Sequence, residues 1–443
     1  FSTVVKTFII VWIGQLVSTL GSALTSFALG VWVYETTGSP TLYAVTLVVH
    51  TLPRIGLSPV AGVIADRWDR RRVMILSDTG AGLSSLFVIV MLLTGRLEVW
   101  HVYLSTLFNS AFSTFQWPAY SAATSLLVPK RHLGRAGGLT QIGDAISQLA
   151  SPAIAGALFV ISGLRAVLLV DVATYLIALM TLLLVRFPRP KTTDAGREAA
   201  GSFWQEAVYG WTYIRGRAGL FGLLATFAVM NFVISITFAL YTPLILGLTT
   251  PDVLGYLNSV GGLGMLVGTL IMSAWGGPKR RIYGIFVAEM VLGITTLLFG
   301  LRLSIPLMAI NNFVFLLAMP ITNVCSQAIW QTKVAPDIQG RVFAIRRMIA
   351  FSIMPLAYAI AGPLAEHLFE PWMAADGALA TSLGPLMGTG PGHGIALIFV
   401  LAGAIYMLLV LSLLIRPRIR RLELEIPDAI EDGEADNAAS VVT

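Results

Sequence analysis

Ionisable side chains set inside apolar stretches are the residues of this chain whose type and position could do chemistry. Arg54, Asp144, Asp171 and Glu289 each interrupt a run of aliphatic and aromatic residues. Asp78 lies about a turn and a half beyond the cluster Arg70-Arg71-Arg72. In lipid such groups cost several kcal/mol unless paired or wetted, so each is a candidate coupling site for a proton or ion. A carboxylate beside a cation takes or releases a proton when its pairing changes, and ion-coupled work needs no more than that. A purely structural pairing competes at every one of them. Asp78 is within reach of the nearby arginines, Asp171 follows Arg165, Asp144 could face a loop, and Glu289 could be half of a buried pair. Arg54 has no local partner, so a carboxylate from another helix is expected beside it, Asp144 or Asp171.

Other chemistries find no residues to carry them. The five His fall in no H-E-x-x-H pattern, G-x-S-x-G is absent, and Cys325 is the single cysteine. An embedded hydrolase or acyltransferase would need a nucleophile with its base, or a metal pair, so no enzyme is expected. His50 and Cys325 are isolated, which leaves no metal site. One cysteine excludes an intramolecular disulfide. The net charge of +6 sits in short loops instead of on one face, so nucleic acid is not a partner.

The elements that must position these groups follow from composition. Hydrophobic residues make up 56% of the 443, charged residues 12%, and the mean hydropathy is +0.80. A soluble chain would be about a quarter charged, so most of this one is solvated by lipid. Apolar segments at 7–33, 41–65, 73–95, 99–128, 136–161, 164–187, 219–247, 252–275, 282–301, 304–332, 339–367 and 392–415 are each long enough to span a bilayer. Twelve membrane helices are expected. The first, following Lys6, would serve as an uncleaved signal anchor. All Lys and Arg except Arg54, Arg96, Arg165 and Arg302 fall in alternate loops and the two tails. The positive-inside rule then puts both termini in the cytosol.

The chain divides at 188–218, a polar linker followed by Phe203, Trp204, Ala207, Val208, Trp211 and Ile214 at helical spacing. That pattern fits a helix lying in the membrane interface or one packed on the bundle. Residues 1–187 and 219–416 would be two six-helix bundles, and 417–443 an acidic, disordered tail. Matching glycines support the division. Gly134-Arg135 and Gly340-Arg341, Ala155-Gly156 and Ala361-Gly362, and Gly62 and Gly268 are each separated by 206 residues. Lys279-Arg280-Arg281 is a shifted copy of the Arg70–Arg72 cluster. This is the signature of a parallel repeat.

The loop Gly62-Val-Ile-Ala-Asp66-Arg67-Trp-Asp69-Arg70-Arg71-Arg72 resembles the G-x-x-x-D-R-x-x-R-R signature of the major facilitator superfamily. The resemblance implies an all-α fold of two pseudo-symmetric bundles with alternating access. It also implies a conformational latch of Gly62, Asp66, Arg67, Arg70, Arg71 and Asp78 that closes against the start of span 11. Gly340-Arg341-Val342-Phe343-Ala344, Ala361-Gly362-Pro363-Leu364-Ala365-Glu366-His367 and Gly388-Thr389-Gly390-Pro391-Gly392 narrow it. They are similar to the drug:proton antiporter-3 branch, which holds macrolide-efflux proteins and the enterobactin exporter. Two features depart from the better-known antiporter branches. The fourth span, Asn109 to Trp117, lacks their arginine, and the fifth-span G-x8-G-P pattern is degraded to Gly143-Asp144 through Ser151-Pro152.

From the fold resemblance, spans 1, 4, 7 and 10 should line a substrate cavity. They offer Gln15 and Ser22, then Phe108, Asn109, Phe112 and Gln116, then Asn231, Ser235 and Phe238, then Asn312, Asn323, Gln327 and Trp330. Polar residues at this spacing either line a wet cavity or bond helix to helix. Aromatics mixed with neutral amides suit a bulky amphipathic cargo, and few central cations argue against phosphorylated sugars and di-acids. The expectation is a monomer in the bacterial inner membrane that exports drug- or siderophore-like compounds, with protons as the suspected coupling ion and no cofactor. A lysophospholipid flippase or a metal exporter of the same fold are the alternatives.

Overall fold

A computed structural model describes residues 3–128, 133–185, 211–334 and 338–427; within them the side chains of Gly62, Asp66, Arg67, Asp144, Gly340 and Arg341, among others, lie outside the description. Every described element is helical. The run opens with α1 (Thr3–Thr37), α2 (Pro40–Arg67), α3 (Arg70–Leu93) and α4 (Val99–Leu127). The helical stretch Leu133–Leu184 is broken at Gly163, whose φ of 68° and ψ of −176° only glycine adopts readily, and so contains α5 before the break and α6 after it. Then come α7 (Ala218–Leu248), α8 (Pro251–Trp275), α9 (Arg281–Leu301), α10 (Ile305–Lys333) and α11 (Gln339–Ser352). α12 (Met354–Leu364) runs through a π turn, Ala365–Phe369, into α13 (Glu370–Met373); α14 (Ala380–Met387) and α15 (His393–Ile415) follow. Among the described residues nine helices are long and apolar enough to cross a membrane, one of them carrying the Gly163 break.

Local signals explain the boundaries. Ser39 caps α2 by accepting from the Leu42 amide at 3.2 Å, with Pro40 at the first helical position. Asp69 caps α3, accepting from the amides of Arg71 (2.9 Å) and Arg72 (3.2 Å). Arg71 in turn closes the other end of a helix. Its Nε and Nη2 donate to the carbonyls of Leu182 (2.8 Å) and Leu183 (2.9 Å), the last turn of α6. Arg71→Ala should cost about 1–2 kcal/mol, read as a lower thermal midpoint in detergent. An unchanged midpoint would remove the capping role.

Two compact units emerge. The first contains residues 1–191, 238–262 and 358–395; the second contains 192–237, 263–357 and 396–443. Among the described residues the first gathers two apolar clusters. One gathers Phe8, Met74, Ala119 and Leu182, the other Leu24, Val88, Val102 and Leu168. Within this unit later helices pack on earlier ones through glycine. A Cβ on Gly156 of α5 would strike the Pro251 carbonyl at the start of α8, and one on Gly255 of α8 would strike the Pro152 carbonyl of α5. Ser259 of α8 seals the same contact by donating to the Leu149 carbonyl at 2.7 Å. Gly362 of α12 meets Pro40 and Thr41 at the start of α2 in the same manner. The paired Ala-Gly sequences of the repeat therefore do equivalent work, α5 on α8 and α12 on α2.

The second unit is built on Leu223, Phe286, Ile329, Trp330, Tyr406 and Val410. Ile214 is fully buried in that cluster, so the described end of the linker packs on protein; residues 203–210 lie outside the description. The beginning of the expected tail is also ordered. Pro417–Arg420 and Leu422–Glu425 form short helices, α16 and α17. Glu423 caps α9 by accepting from the amides of Arg281 (3.0 Å) and Ile282 (3.1 Å), while Lys333 donates to the Glu423 carbonyl at 2.7 Å. Burial of Ile419 and Leu422 explains why the acidic composition did not prevent folding here.

Candidate functional site

Each unit holds a cavity with a buried carboxyl group on its wall. In the first unit a cavity of about 260 Å³ is lined by Gln15, Ser22, Arg54, Asp78, Gln116 and Thr140, among others. The Asp78 carboxylate accepts from Gln15 Nε2 and Gln116 Nε2, both at 3.0 Å, and Gln116 also donates to Gln15 Oε1 at 2.6 Å. Three helices, α1, α3 and α4, are thus joined through one carboxylate. Asp78 was expected beside the Arg70–Arg72 cluster; it faces inward to two amides instead, because its position on α3 turns it away from the basic loop.

Asp171 differs from expectation too. It is 4% exposed on α6 and accepts from Ser85 Oγ at 2.6 Å, so neither Arg165 nor Arg54 is its partner. Arg54 instead opens onto the cavity that contains Asp78. Its other expected partner, Asp144, and the latch residues Gly62, Asp66 and Arg67 lie outside the described side chains. Phe108, Asn109 and Phe112 are not on this cavity wall. Phe108 is 49% exposed, Asn109 accepts from Ser113 at 3.5 Å, and Phe112 covers Gly80 of α3. The helical stripe of α4 is wider than the cavity, so only its Gln116 end reaches in.

The larger cavity, about 710 Å³, lies wholly in the second unit. Phe227 and Ile234 of α7, Leu292 of α9, Phe315 and Met319 of α10 and Phe343 of α11 make its apolar wall. Four of the expected residues, Asn231, Asn323, Gln327 and Trp330, line it, and so does Glu289. Ser235 is buried off the wall, Asn312 sits elsewhere on α10, and Phe238 belongs to the first unit.

Glu289 is 3% exposed, and the Tyr406 hydroxyl of α15 donates to its Oε2. An ionised carboxylate at this depth without a cation costs several kcal/mol. Its charge therefore answers to what fills the cavity, water or a ligand. Across the cavity Arg346 of α11 donates from Nη1 to Gln327 Oε1 and from Nη2 to Ser326 Oγ, each at 3.0 Å. Its guanidinium carbon is 5.0 Å from the centre of the Trp330 ring. Arg347 is on the same wall.

Sequence reasoning missed both Tyr406 and Arg346. Tyr406 is the one ring hydroxyl in an aliphatic helix, a signal that was there to read. Arg346 and Arg347 were counted with the basic loop after span 10, although they lie inside the apolar segment 339–367. Applying to them the depth rule used for Arg54 would have found them. They add two cations to a cavity expected to hold few. Among the described residues no three His, Cys, Asp or Glu side chains converge as metal ligands would.

Comparison with known proteins fits this geometry. The family model described as Major Facilitator Superfamily matches residues 11–359. Macrolide efflux protein A of Streptococcus pyogenes is 29% identical over 382 residues, covering 84% of this chain and 93% of that protein. The enterobactin exporter EntS of Shigella flexneri is 28% identical over 131 residues, 27% of this chain and 32% of that one. Among solved structures, that of a nucleoside transporter superposes with a TM-score of 0.68 at 12% identity, over 92% of this chain and 99% of the other. At that identity the likeness shows the fold alone.

Proposed function

The chain belongs to the major facilitator superfamily, a multi-pass membrane transporter and not an enzyme, and we propose that it exports amphipathic small molecules of the macrolide or siderophore kind. The observation that carries this reading is the cavity of about 710 Å³, with a mostly apolar and aromatic wall and a few convergent polar groups. Such a wall holds a bulky hydrophobic body through few fixed contacts and tolerates variation in its shape. Likeness over most of the chain to a macrolide efflux protein supports the direction of transport.

Export is driven by proton antiport, with Glu289 and its Tyr406 partner as the coupling group. Cargo and proton compete because both change the surroundings of one buried carboxyl group. Access alternates between the two sides of a bacterial inner membrane, with both termini cytosolic and the protein a monomer. Asp78, clamped between Gln15 and Gln116, holds α1, α3 and α4 in register.

Proteoliposomes containing the purified full chain test this, with an imposed pH gradient and a macrolide, a catecholate siderophore, a cationic dye and a lysophospholipid as cargo. Gradient-dependent movement of at least one soluble amphipath is the expected result. Movement of lysophospholipid alone, indifferent to the gradient, would replace export by lipid flipping.

A further inference from the structure

The geometry of the larger cavity assigns the class of cargo: we propose that it recognises an amphipathic organic anion, its carboxylate or sulfonate head held by Arg346 and Arg347. This rests on the reading of the chain as an exporter whose cargo occupies that cavity.

The charged side chains on the wall are Glu289, Arg346 and Arg347. Two cations share the wall with one carboxyl group, so positive charge predominates whichever form Glu289 takes. The acid is already engaged, since Tyr406 donates to it and it is 3% exposed, which leaves little of it to meet a ligand ammonium. Arg346 is in the opposite condition. Both of its hydrogen-bond partners, Gln327 and Ser326, are neutral, and among the described residues no carboxylate lies within ion-pair reach of it. A guanidinium has five N–H donors in a planar fork, and among the described residues only two of them are engaged. Gln327 and Ser326 fix the plane of the fork, and Trp330 stands beside it, so the group is pre-organised for a two-pronged oxyanion.

Phe227, Phe315 and Phe343 then supply the surface for a flat hydrophobic body. A cationic amphipath, an amine-bearing macrolide included, would bring its charge toward two arginines with its counter-charge already bonded to Tyr406, so the anionic, siderophore-like end of the proposed cargo range is favoured. A neutral one would displace water from the Arg346 donors without replacing its hydrogen bonds. An anion satisfies both the charge and the donors.

Equilibrium binding to the full chain in lipid nanodiscs tests the assignment, with anilinonaphthalene sulfonate and its uncharged twin phenylnaphthylamine as radiolabelled probes and empty nanodiscs as background. The sulfonate should bind about tenfold tighter than the twin, the scale of one charge-assisted bidentate contact. Arg346→Gln should erase that difference chiefly by weakening sulfonate binding, and Arg346→Lys should keep part of it. Should Arg346→Gln lose both probes by failing to fold, Arg347→Gln decides by the same comparison. A sulfonate bound no tighter than its twin, or bound equally by the Gln variants, overturns the proposal. Anion preference without gradient-driven export would remove the proton-antiport reading and leave the head-group assignment standing. Gradient-driven export without anion preference would do the reverse.

Discussion

Glu289→Gln should abolish the response of efflux to an imposed pH gradient while the protein inserts and folds normally. The substitution keeps side-chain volume, and the amide oxygen still accepts from Tyr406, so packing of α9 on α15 is preserved. What is lost is the only exchangeable proton that Glu289 brings to the cavity wall. Coupling between two sites in one protein is worth about 1–3 kcal/mol, so gradient-driven transport should fall by about 5- to 150-fold toward the rate without a gradient. Tyr406→Phe keeps the carboxyl group and removes its partner, and should weaken the response without erasing it. Transport assays in proteoliposomes at matched protein density read both. A Glu289→Gln variant that still responds fully to the gradient would remove Glu289 from the mechanism and turn attention to Asp78 and Asp171.

Gly255→Val should cause a large loss of stability in the first unit. The new Cβ would collide with the Pro152 carbonyl and approach Ala153 Cα at 3.2 Å, both backbone atoms that no rotamer change can move. α5 and α8 would have to separate, breaking the Ser259 bond to the Leu149 carbonyl as well. Overpacking of this kind costs about 1–3 kcal/mol before that bond is counted, and Gly362→Val should do the same to α12 on α2. Thermal unfolding in detergent measures it. Unchanged midpoints for both variants would mean that the helices are not in contact there.

That the chain crosses lipid as helices was readable from residue order because a bilayer demands long apolar stretches with every backbone group satisfied. The break between α5 and α6 at Gly163, the caps at Ser39 and Asp69, and the all-helical class all follow from local rules. So did the pairing of Ala155-Gly156 with Ala361-Gly362, since a close backbone approach demands glycine and a repeat demands it twice. Family membership was legible in one loop, Gly62 to Arg72, for the same reason.

Partnership was not legible. Asp78 could reach its neighbours Arg70–Arg72 along the chain, yet it bonds Gln15 and Gln116, which come from helices 63 and 38 residues away in sequence. Asp171 went to Ser85 and Glu289 to Tyr406 by the same logic. Which face of a helix meets which neighbour depends on rotation about its axis, and one residue turns that axis by about 100°. Arg346 makes the point from the other side. Its charge assigns it to a basic loop when charges are counted along the chain, and only the packing of α11 against α10 turns it toward Gln327, Ser326 and a cavity. Composition and order determined that this chain lives in lipid, repeats and moves solutes; the rotation and packing of its helices decided which of its few charges meet.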